Sequence, residues 1–355
     1  MPLPLSLNTL LNPQPGWYRG DFHCHTNHSD GVHPPAELIE VARGEGLAFF
    51  AITDHNAVSA YGEFGEAGLL IIPGVEATYK RGHWNIFGVT EDGDWLQQIC
   101  RGYSDAPQPG DPYPTVNALM RTAASLGLLN SINHPLLAPW AWEFPQSEMQ
   151  HLHALEIWND PSWPDNDRDN PRAVELWTRM LNDGWRVTAL GGSDYHRPHP
   201  PAGQTKPDER LGLPGTYVYA EALSGAAILS AVRERRAYVS AGPRLTFAAR
   251  LNGTRYEVGA EVGEVSGAVE FSATVSDCPP SARAVMVRNG HPLAEASAAG
   301  GGIHLQVRAG ANRGQAAWYR CDVFDADGRL LAITNPIFTG PRPTPTKMTF
   351  GEFLA

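Results

Sequence analysis

The feature that most constrains the fold is an alternation of short apolar runs with helical stretches up to about residue 240. The helical stretches have apolar residues every three or four positions, which predicts helices over 35–44, 115–126, 171–182 and 224–236. Strands are predicted where runs rich in Ile, Val, Leu and Phe end at turn residues, over 17–25, 47–53, 69–78, 83–89, 129–133, 154–158, 187–191 and 216–220. Such an α/β alternation favours parallel strands with right-handed crossovers, and about seven such units can close into a barrel.

The pattern changes after about residue 243, where alternating strands follow one another without helices. They are predicted over 244–251, 268–275, 284–289, 303–308 and 318–324. Asn252-Gly253 and Asn289-Gly290 favour hairpin turns between them. We therefore expect an α/β domain over 1–242, a small antiparallel β-sandwich over 243–340 and an extended, proline-rich tail over 341–355.

Composition narrows the classes of partner. The net charge of −11 and the lack of a basic, aromatic-studded stripe argue against nucleic-acid binding. No apolar run approaches the roughly 20 residues that span a bilayer, and the amino terminus lacks the basic region of a signal peptide. We expect a cytoplasmic protein with no membrane contact. The four cysteines form no CxxC pair, so a thiolate zinc site is not expected.

Histidines are concentrated in the front of the chain, where 11 of the 13 precede residue 200. Some of them, with several carboxylates, form a set in which each residue lies at the carboxyl end of a predicted strand or in the loop after it, which is the face that carries active sites in βα barrels. The motifs DFHCH, HSDG, ITDHN, PGVEAT, GHWNIFG, SINHP and GGSDYH offer nine candidate ligands: His23, His25, Asp30, His55, Glu76, His83, His134, Asp194 and His196. This set suits zinc, manganese or iron, and its size favours two or three divalent ions.

His23 and His25 are two apart, so both point to one side of a strand, as do Asp194 and His196.

The remaining basic residues and histidines of the front half are less informative. Lys80, Arg81 and Arg197 adjoin three of the motifs and are either phosphate-binding residues or surface charges. We expect His28, His33, His151, His153 and His199 to be surface or packing residues.

In this order, the motifs resemble the PHP (polymerase and histidinol phosphatase) superfamily. GVEATYKRGHWNIFG, RAYVSAGP and ADGRLLAITNPI resemble its CehA/McbA-type metallohydrolase branch, which includes an enzyme that cleaves the carbamate carbaryl. The resemblance implies a distorted (β/α)7 barrel with a trinuclear metal centre. It implies that a first ion is held by His23, His25, Glu76 and Asp194, a second by Glu76, His83 and His134, and a third by Asp30, His55 and His196. We interpret Glu156 and Asp54 as carboxylates that orient ligands.

Three functions remain open. The first is a phosphoesterase that hydrolyses a small-molecule phosphate ester with a metal-bridging hydroxide, and with Asp194 and His196 at the reacting centre. A protonated His196 and a metal-bound water are both candidates for the acid that assists the leaving group. The second is a carbamate, ester or amide hydrolase. The third is a non-catalytic metal-binding scaffold whose β domain binds a partner; that domain is also a candidate for an oligomer contact.

Overall fold

The computed structural model describes residues 3–65, 67–101, 108, 110–199, 207–311 and 313–354. The helices are α1 (Pro35–Gly44), α2 (Asp94–Ile99), α3 (Val116–Ser125), α4 (Asn166–Asp183) and α5 (Gly225–Arg233). Strands of the front half are β1 (Leu10–Asn12), β2 (Gly16–Asp21), β3 (Phe49–Ile52), β4 (Leu70–Tyr79), β5 (Gly82–Phe87), β6 (Leu129–Ile132), β7 (Ala154–Asn159), β8 (Thr188–Gly192), β9 (Gly215–Ala220), β10 (Leu223–Ser224) and β11 (Ala237–Ser240). The strands that follow are β12 (Arg244–Leu251), β13 (Thr254–Glu257), β14 (Gly267–Ser276), β15 (Arg283–Arg288), β16 (His291–Ser297), β17 (Gly302–Ala311), β18 (Ala317–Phe324), β19 (Leu330–Thr334) and β20 (Ile337–Thr339).

Helices α3, α4 and α5 pack on strands of the sheet through one apolar face each. Leu176, Trp177 and Met180 of α4 are fully buried, and each side chain of this kind contributes roughly 1.5–3 kcal/mol when removed from water. The helix begins at Asn166 rather than at the predicted Pro171. Acidic residues in the first turn favour this earlier start, because they face the positive end of the helix dipole.

A large mixed sheet runs through most of the chain, in the order β16–β15–β18–β19–β11–β9–β2–β3–β4–β5–β6–β7–β8, with β20 beside β18. Parallel pairing joins β2, β3 and β4, and again β6, β7 and β8. Between these groups β5 is antiparallel to both of its neighbours. It forms a hairpin with β4 in which Tyr79 pairs with Gly82, so the chain reverses over Lys80 and Arg81. The predicted parallel series is therefore interrupted at β5.

The two ends of the front part of this sheet approach each other. Cys24, after β2, forms an isolated parallel bridge with Tyr195, after β8. The His25 amide donates a hydrogen bond to the Tyr195 carbonyl over 3.0 Å. In the described ranges no continuous ladder joins β8 to β2. The closed (β/α)7 barrel thus stays a prediction, whereas the mixed α/β sheet is observed.

The all-β part is built from two antiparallel layers. One layer is a separate sheet in the order β13–β12–β14–β17. It packs on β15, β18 and their neighbours, with the rings of Phe271 and Tyr319 stacked at 4.0 Å between centroids. The second layer continues into the large sheet, since β11 pairs with both β9 and β19. The predicted division after residue 242 falls in the turn between β11 and β12 and stays a prediction.

The tail after Gly340 is more firmly attached than an extended surface segment. It is irregular up to Thr349 and then forms a short 3-10 turn, Phe350–Phe353, whose two phenylalanines are fully buried. The Phe350 amide donates to the Ser147 carbonyl over 2.9 Å. The sequence prediction misses this anchor because two phenylalanines in so short a segment show no periodicity.

All four cysteines are free, and burial raises the pKa of the Cys24 and Cys321 thiols, which therefore behave as small apolar groups. Among the described helices, none is long and apolar enough to cross a membrane.

Candidate metal centre

The nine predicted ligands lie together at one rim of the large sheet. Most follow the carboxyl end of a parallel strand, where successive loops meet. Glu76 lies within β4, three residues before its end, and His83 lies near the amino end of β5, opposite Thr78 of β4. The antiparallel direction of β5 brings His83 to the same rim. The expectation that every ligand ends or follows a strand is therefore wrong for these two residues.

The side chains form three overlapping groups, in each of which one ligand atom per residue lies within 4.8 Å of the others. The groups are His23–His25–Asp194, His25–Asp30–His55–His196 and His55–Glu76–His83. His134 lies beside them, with Nε2 3.7 Å from Oε1 of Glu76. The groups differ in detail from the three sets implied by the family resemblance, because His25 and His55 are each shared. The assignment of ligands to ions stays a prediction.

Two carboxylates lie at the middle of the cluster. Nε2 of His23 is 3.2 Å from Glu76 Oε1 and 3.1 Å from Asp194 Oδ1. Nε2 of His25 is 3.0 Å from the same Asp194 oxygen, and Nδ1 of His55 is 2.6 Å from Glu76 Oε2. Burial by itself would raise the pKa of Glu76 and Asp194, but the surrounding imidazoles hold both well below their usual range. Both side chains are therefore ionised.

The imidazoles differ in protonation because their neighbours differ. Burial lowers the pKa of His25 to about 3, and the adjacent His196 and His55 add to the effect. Burial also opposes the charge on His196, yet Asp30 and Asp194 raise its pKa to about 9. His25 is thus a neutral imidazole with a lone pair available, while His196 lies where the field of the carboxylates favours a positive charge.

Glu156 orients two of the predicted ligands. Its Oε1 lies 2.9 Å from Nδ1 of His23, and its Oε2 accepts a hydrogen bond of 2.7 Å from the His134 amide. Asn159 Nδ2 also donates to Oε2 over 3.1 Å. A carboxylate on Nδ1 leaves Nε2 of His23 directed at Glu76 and Asp194, as in the carboxylate–histidine pairs of metal sites.

Asp54 holds a loop rather than an imidazole. It is fully buried and accepts hydrogen bonds of 2.7 Å each from the Thr26 amide, the Thr26 hydroxyl and the Ser29 hydroxyl. These residues lie in the turn that leads to Asp30. Asp54 therefore positions one ligand through the backbone of its loop.

The sequence analysis did not single out two further residues that contact ligands. Nδ2 of Asn133 donates to Glu76 Oε1 over 2.8 Å, and Oγ1 of Thr78 lies 2.7 Å from Nδ1 of His55. A signal was present for both. Asn133 immediately precedes a predicted ligand in SINHP, and Thr78 is two residues beyond Glu76 on the same face of β4.

The cluster opens into a cleft of about 380 Å³. Trp140 and Trp163 form an aromatic wall, with ring centroids 5.5 Å apart in an edge-to-face arrangement. Of the three predicted substrate-binding residues, Lys80 and Arg197 line the cleft. Arg81 does not; its Nη2 donates to the Glu143 carbonyl over 2.6 Å.

Glu209 also lines this cleft and supports the segment after β8. It accepts hydrogen bonds from the backbone amides of His196, over 2.8 Å, and Arg197, over 3.0 Å. No motif in the sequence marks Glu209, which lies 13 residues beyond His196 in the chain.

The other front-half histidines lie outside the ligand groups. Their partners are Ser59 and Glu63 for His28, Glu37 and Tyr195 for His33, Glu148 for His151, the Asn130 amide for His153 and Asp208 for His199. These contacts agree with surface or packing roles.

The donor set fits divalent metal ions. Buried polar atoms are nearly always hydrogen-bonded, and buried charges need a balancing partner. Within the described part of the chain, Nε2 of His23 and Nδ1 of His134 are buried without a hydrogen-bond partner. Nε2 of His23 lies between two ionised carboxylates, so a cation among these groups would satisfy all of them. Nitrogen and oxygen ligands without thiolate suit zinc, manganese and iron.

Comparisons with solved structures give weak overall similarity. A two-domain protein from Bacteroides vulgatus, which contains a predicted PHP-like metal-dependent phosphoesterase, is 18% identical with a TM-score of 0.49. The alignment covers 94% of this chain and 99% of that one. A suspected metal-dependent phosphoesterase from Bifidobacterium adolescentis is 19% identical with a TM-score of 0.35, over 54% of this chain and 92% of that one.

Sequence comparisons match parts of this chain. A stretch of 60 residues is 38% identical to a 5'-3' exoribonuclease from Haemophilus influenzae. It represents 16% of this chain and only 22% of that enzyme's length. Residues 21–138 match the PHP domain family. This segment, about a third of the chain, carries every predicted ligand from His23 to His134 and is similar to a PHP domain.

Proposed function

We propose that the protein is a metal-dependent hydrolase that cleaves phosphate esters of small molecules. The single observation that carries the proposal is the convergence of imidazoles and ionised carboxylates in three overlapping groups on the floor of a cleft. The match of residues 21–138 to the PHP domain supports it. Two or three ions would be held by the nine ligands, His23, His25, Asp30, His55, Glu76, His83, His134, Asp194 and His196.

The side chains around the ligands prepare the site. When bound, the divalent ions would supply Lewis-acid activation of a phosphoryl oxygen and of water. Nδ1 of His196 lies 2.6 Å from the Asp194 carbonyl, so Nδ1–H donates there and Nε2 is directed toward Asp30, 3.2 Å away. We assign Asp194 and His196 to the reacting centre because both line the cleft.

Lys80 and Arg197 would bind the phosphate group of the substrate. Both line the cleft beside the ligands, and a guanidinium and an ammonium both recognise phosphate oxygens. Arg197 is fixed at its backbone by Glu209, and its Nη2 donates to the Asp30 carbonyl over 3.1 Å. Trp140 and Trp163 would contact the organic part of the ester.

The aromatic wall also favours a second candidate function, the hydrolysis of a carbamate, carboxylic ester or amide. Leu137, Trp140 and Trp163 provide an apolar surface that a neutral organic substrate could bury without a phosphate. Metal ions activate water for both reactions. The charged residues of the cleft, Lys80 and Arg197, are therefore what favours a phosphate ester over a neutral substrate.

Assays on the metal-replete protein test the two functions. We expect turnover of p-nitrophenyl phosphate or its bis-ester that is lost in a His25→Ala variant and retained in His151→Ala. Cleavage of 1-naphthyl methylcarbamate with no turnover of either phosphate ester would reject the first function in favour of the second. Bound metal without hydrolysis of any of these substrates, with zinc, manganese or iron, would favour the non-catalytic scaffold.

A further inference from the structure

A second polar groove lies at the opposite end of the strands from the metal centre. It is formed where the chain enters β7 and β8, at the end of α5 and in the tail, with a volume of about 250 Å³. The residues that give it polarity are His153, Arg186, Arg233 and Arg342. We propose that this groove binds a small anion that carries a phosphate group. The proposal does not depend on the function proposed for the metal centre.

The groove has an excess of positive charge in an acidic protein. Among the residues that the structure describes, three arginines and no carboxylate line it, although the chain as a whole has a net charge of −11. Arg186 shares one acidic partner, Glu261, with the nearby Arg235, at 3.4 and 3.2 Å. Within the described ranges, neither Arg233 nor Arg342 has a carboxylate at ion-pair distance. Arg233 donates to the Gly127 carbonyl and Arg342 to the Gly184 carbonyl.

One guanidinium in this groove has an unsatisfied donor. Nη1 of Arg233 is buried without a hydrogen-bond partner in the part of the chain that the structure describes. Burial lowers the pKa of Arg233, and it also lowers the pKa of Arg186 to about 10, where Arg342 and Arg235 oppose the added charge. A buried charged donor without an acceptor destabilises a protein, and a bound anion would remove that cost.

His153 offers a further donor to the same groove. Its Nδ1 accepts a hydrogen bond of 3.0 Å from the Asn130 amide, so the neutral ring carries its hydrogen on Nε2. Burial and the charge of Arg233 lower the pKa of His153 to about 4. The ring is therefore neutral near pH 7 and presents an N–H rather than a second lone pair.

The chemistry of the donors favours phosphate. Guanidinium groups bind phosphate oxygens with paired hydrogen bonds, and arginine is over-represented where planar, bidentate recognition is needed. The volume is below the roughly 300–1,000 Å³ of sites for drug-sized ligands. We therefore infer inorganic phosphate, pyrophosphate or a small phosphorylated molecule as the occupant, and the phosphate group as the part that is recognised.

NMR titration of the zinc-loaded, histidine-labelled protein tests the proposal, with the His153 resonance assigned from a His153→Gln variant. Inorganic phosphate at constant ionic strength should shift that resonance saturably, whereas acetate should not. Arg233→Gln and Arg342→Gln should each weaken the affinity at least about tenfold, because each removes charge-assisted hydrogen bonds. Arg250→Gln, which removes an equally charged but exposed residue of β12, should leave the affinity unchanged.

Three results would overturn the proposal. They are a His153 resonance that does not respond to phosphate, an equal response to acetate, and unchanged affinity in both arginine variants. Arg342 is exposed, so its replacement tests the groove even if Arg233→Gln fails to fold. Because His153 lies at the far end of β7 from the metal centre, its resonance distinguishes this groove from phosphate bound among the metal ligands.

Discussion

Oε1 of Glu156 lies 2.9 Å from Nδ1 of His23, so a buried carboxylate determines which nitrogen of that imidazole faces the metal centre. The second oxygen of Glu156 accepts a hydrogen bond from the backbone of His134, another predicted ligand. One side chain of β7 thus positions ligands that follow β2 and β6. The metal affinity of the site therefore depends on Glu156, although this residue need not contact a metal ion.

Glu156→Gln should lower metal affinity by about 10- to 100-fold while the protein stays folded. The amide has a single oxygen, so it cannot accept from both His23 and His134. Metal titration with a competing chelator measures the effect. Glu175→Gln, on the exposed face of α4, is the matched control and should bind metal as the unmodified protein does. Equal affinity in both variants would show that Glu156 has no positioning role.

His25→Ala and Asp194→Asn should each reduce hydrolysis at least about 100-fold, because each leaves a group of ligands incomplete. Asparagine replaces Asp194 because this residue has a φ of 52°, a conformation that asparagine tolerates better than alanine. His151→Ala is the control, since His151 pairs with Glu148 away from the ligand groups. Near-normal turnover in both ligand variants would refute the assigned site.

Removal of metal should lower the thermal unfolding temperature. Without a cation, the buried Glu76 and the partly buried Asp194 have only imidazoles to balance their charge. Ligand binding to the native state stabilises it by RT ln(1 + [L]/Kd), about 4 kcal/mol at 1,000 times Kd. Calorimetry before and after chelation, with zinc or manganese added back, measures this effect, and Asp194→Asn should lose most of it. An unfolding temperature that stays the same when a metal-containing sample is treated with a chelator would contradict the prediction.

Asp54→Ala should destabilise the protein by about 2–4 kcal/mol, because three hydrogen bonds are lost and the buried Thr26 amide is left without an acceptor. Urea unfolding measures the difference. Asp327→Ala, at an exposed turn, should change stability by no more than about 0.5 kcal/mol. An equally small change in stability for Asp54→Ala would show that the turn before Asp30 keeps its structure without the Asp54 carboxylate.

Phe350→Ala should cost about 3–5 kcal/mol, the usual range for a fully buried phenylalanine. Its ring contacts Trp142 at 6.5 Å between centroids, so the loss would loosen the tail and the segment beneath it. Met348→Ala is the control in the same tail, since that side chain is 51% exposed. Guanidinium unfolding of the two variants compares them, and equal stability would contradict the anchoring role.

The sequence predicted well where local patterns carry the information. Helix α1 has the predicted bounds, 35–44, because its apolar spacing and its Pro and Gly positions agree. His23 and His25 both contact Asp194, as expected from a spacing that puts alternate residues on one side. These features need only a few adjacent residues to specify them.

Features that depend on contacts between separate segments were harder to predict from the sequence. An apolar run does not reveal strand direction, and Lys80-Arg81 lacks the glycine or asparagine that marks a hairpin, so the reversal at β5 was not predicted. The hydrogen bond from the His196 amide to Glu209 joins residues 13 positions apart that no local pattern relates. The continuity of the all-β part with the large sheet likewise depends on pairing between β11 and β19, 90 or so positions apart.

The position of β11 affects how the chain could be divided. Its hydrogen-bonding groups are used on both sides, by β9 and by β19. If the chain were cut after residue 242, β11 would lose its pairing with β19. The amides and carbonyls along that edge would have no hydrogen-bond partner, on a strand whose residues, such as Tyr238 and Val239, are buried. Unprotected edges of this kind recruit strands from other molecules. The rear of the chain therefore shields the front from self-association, whatever else it does.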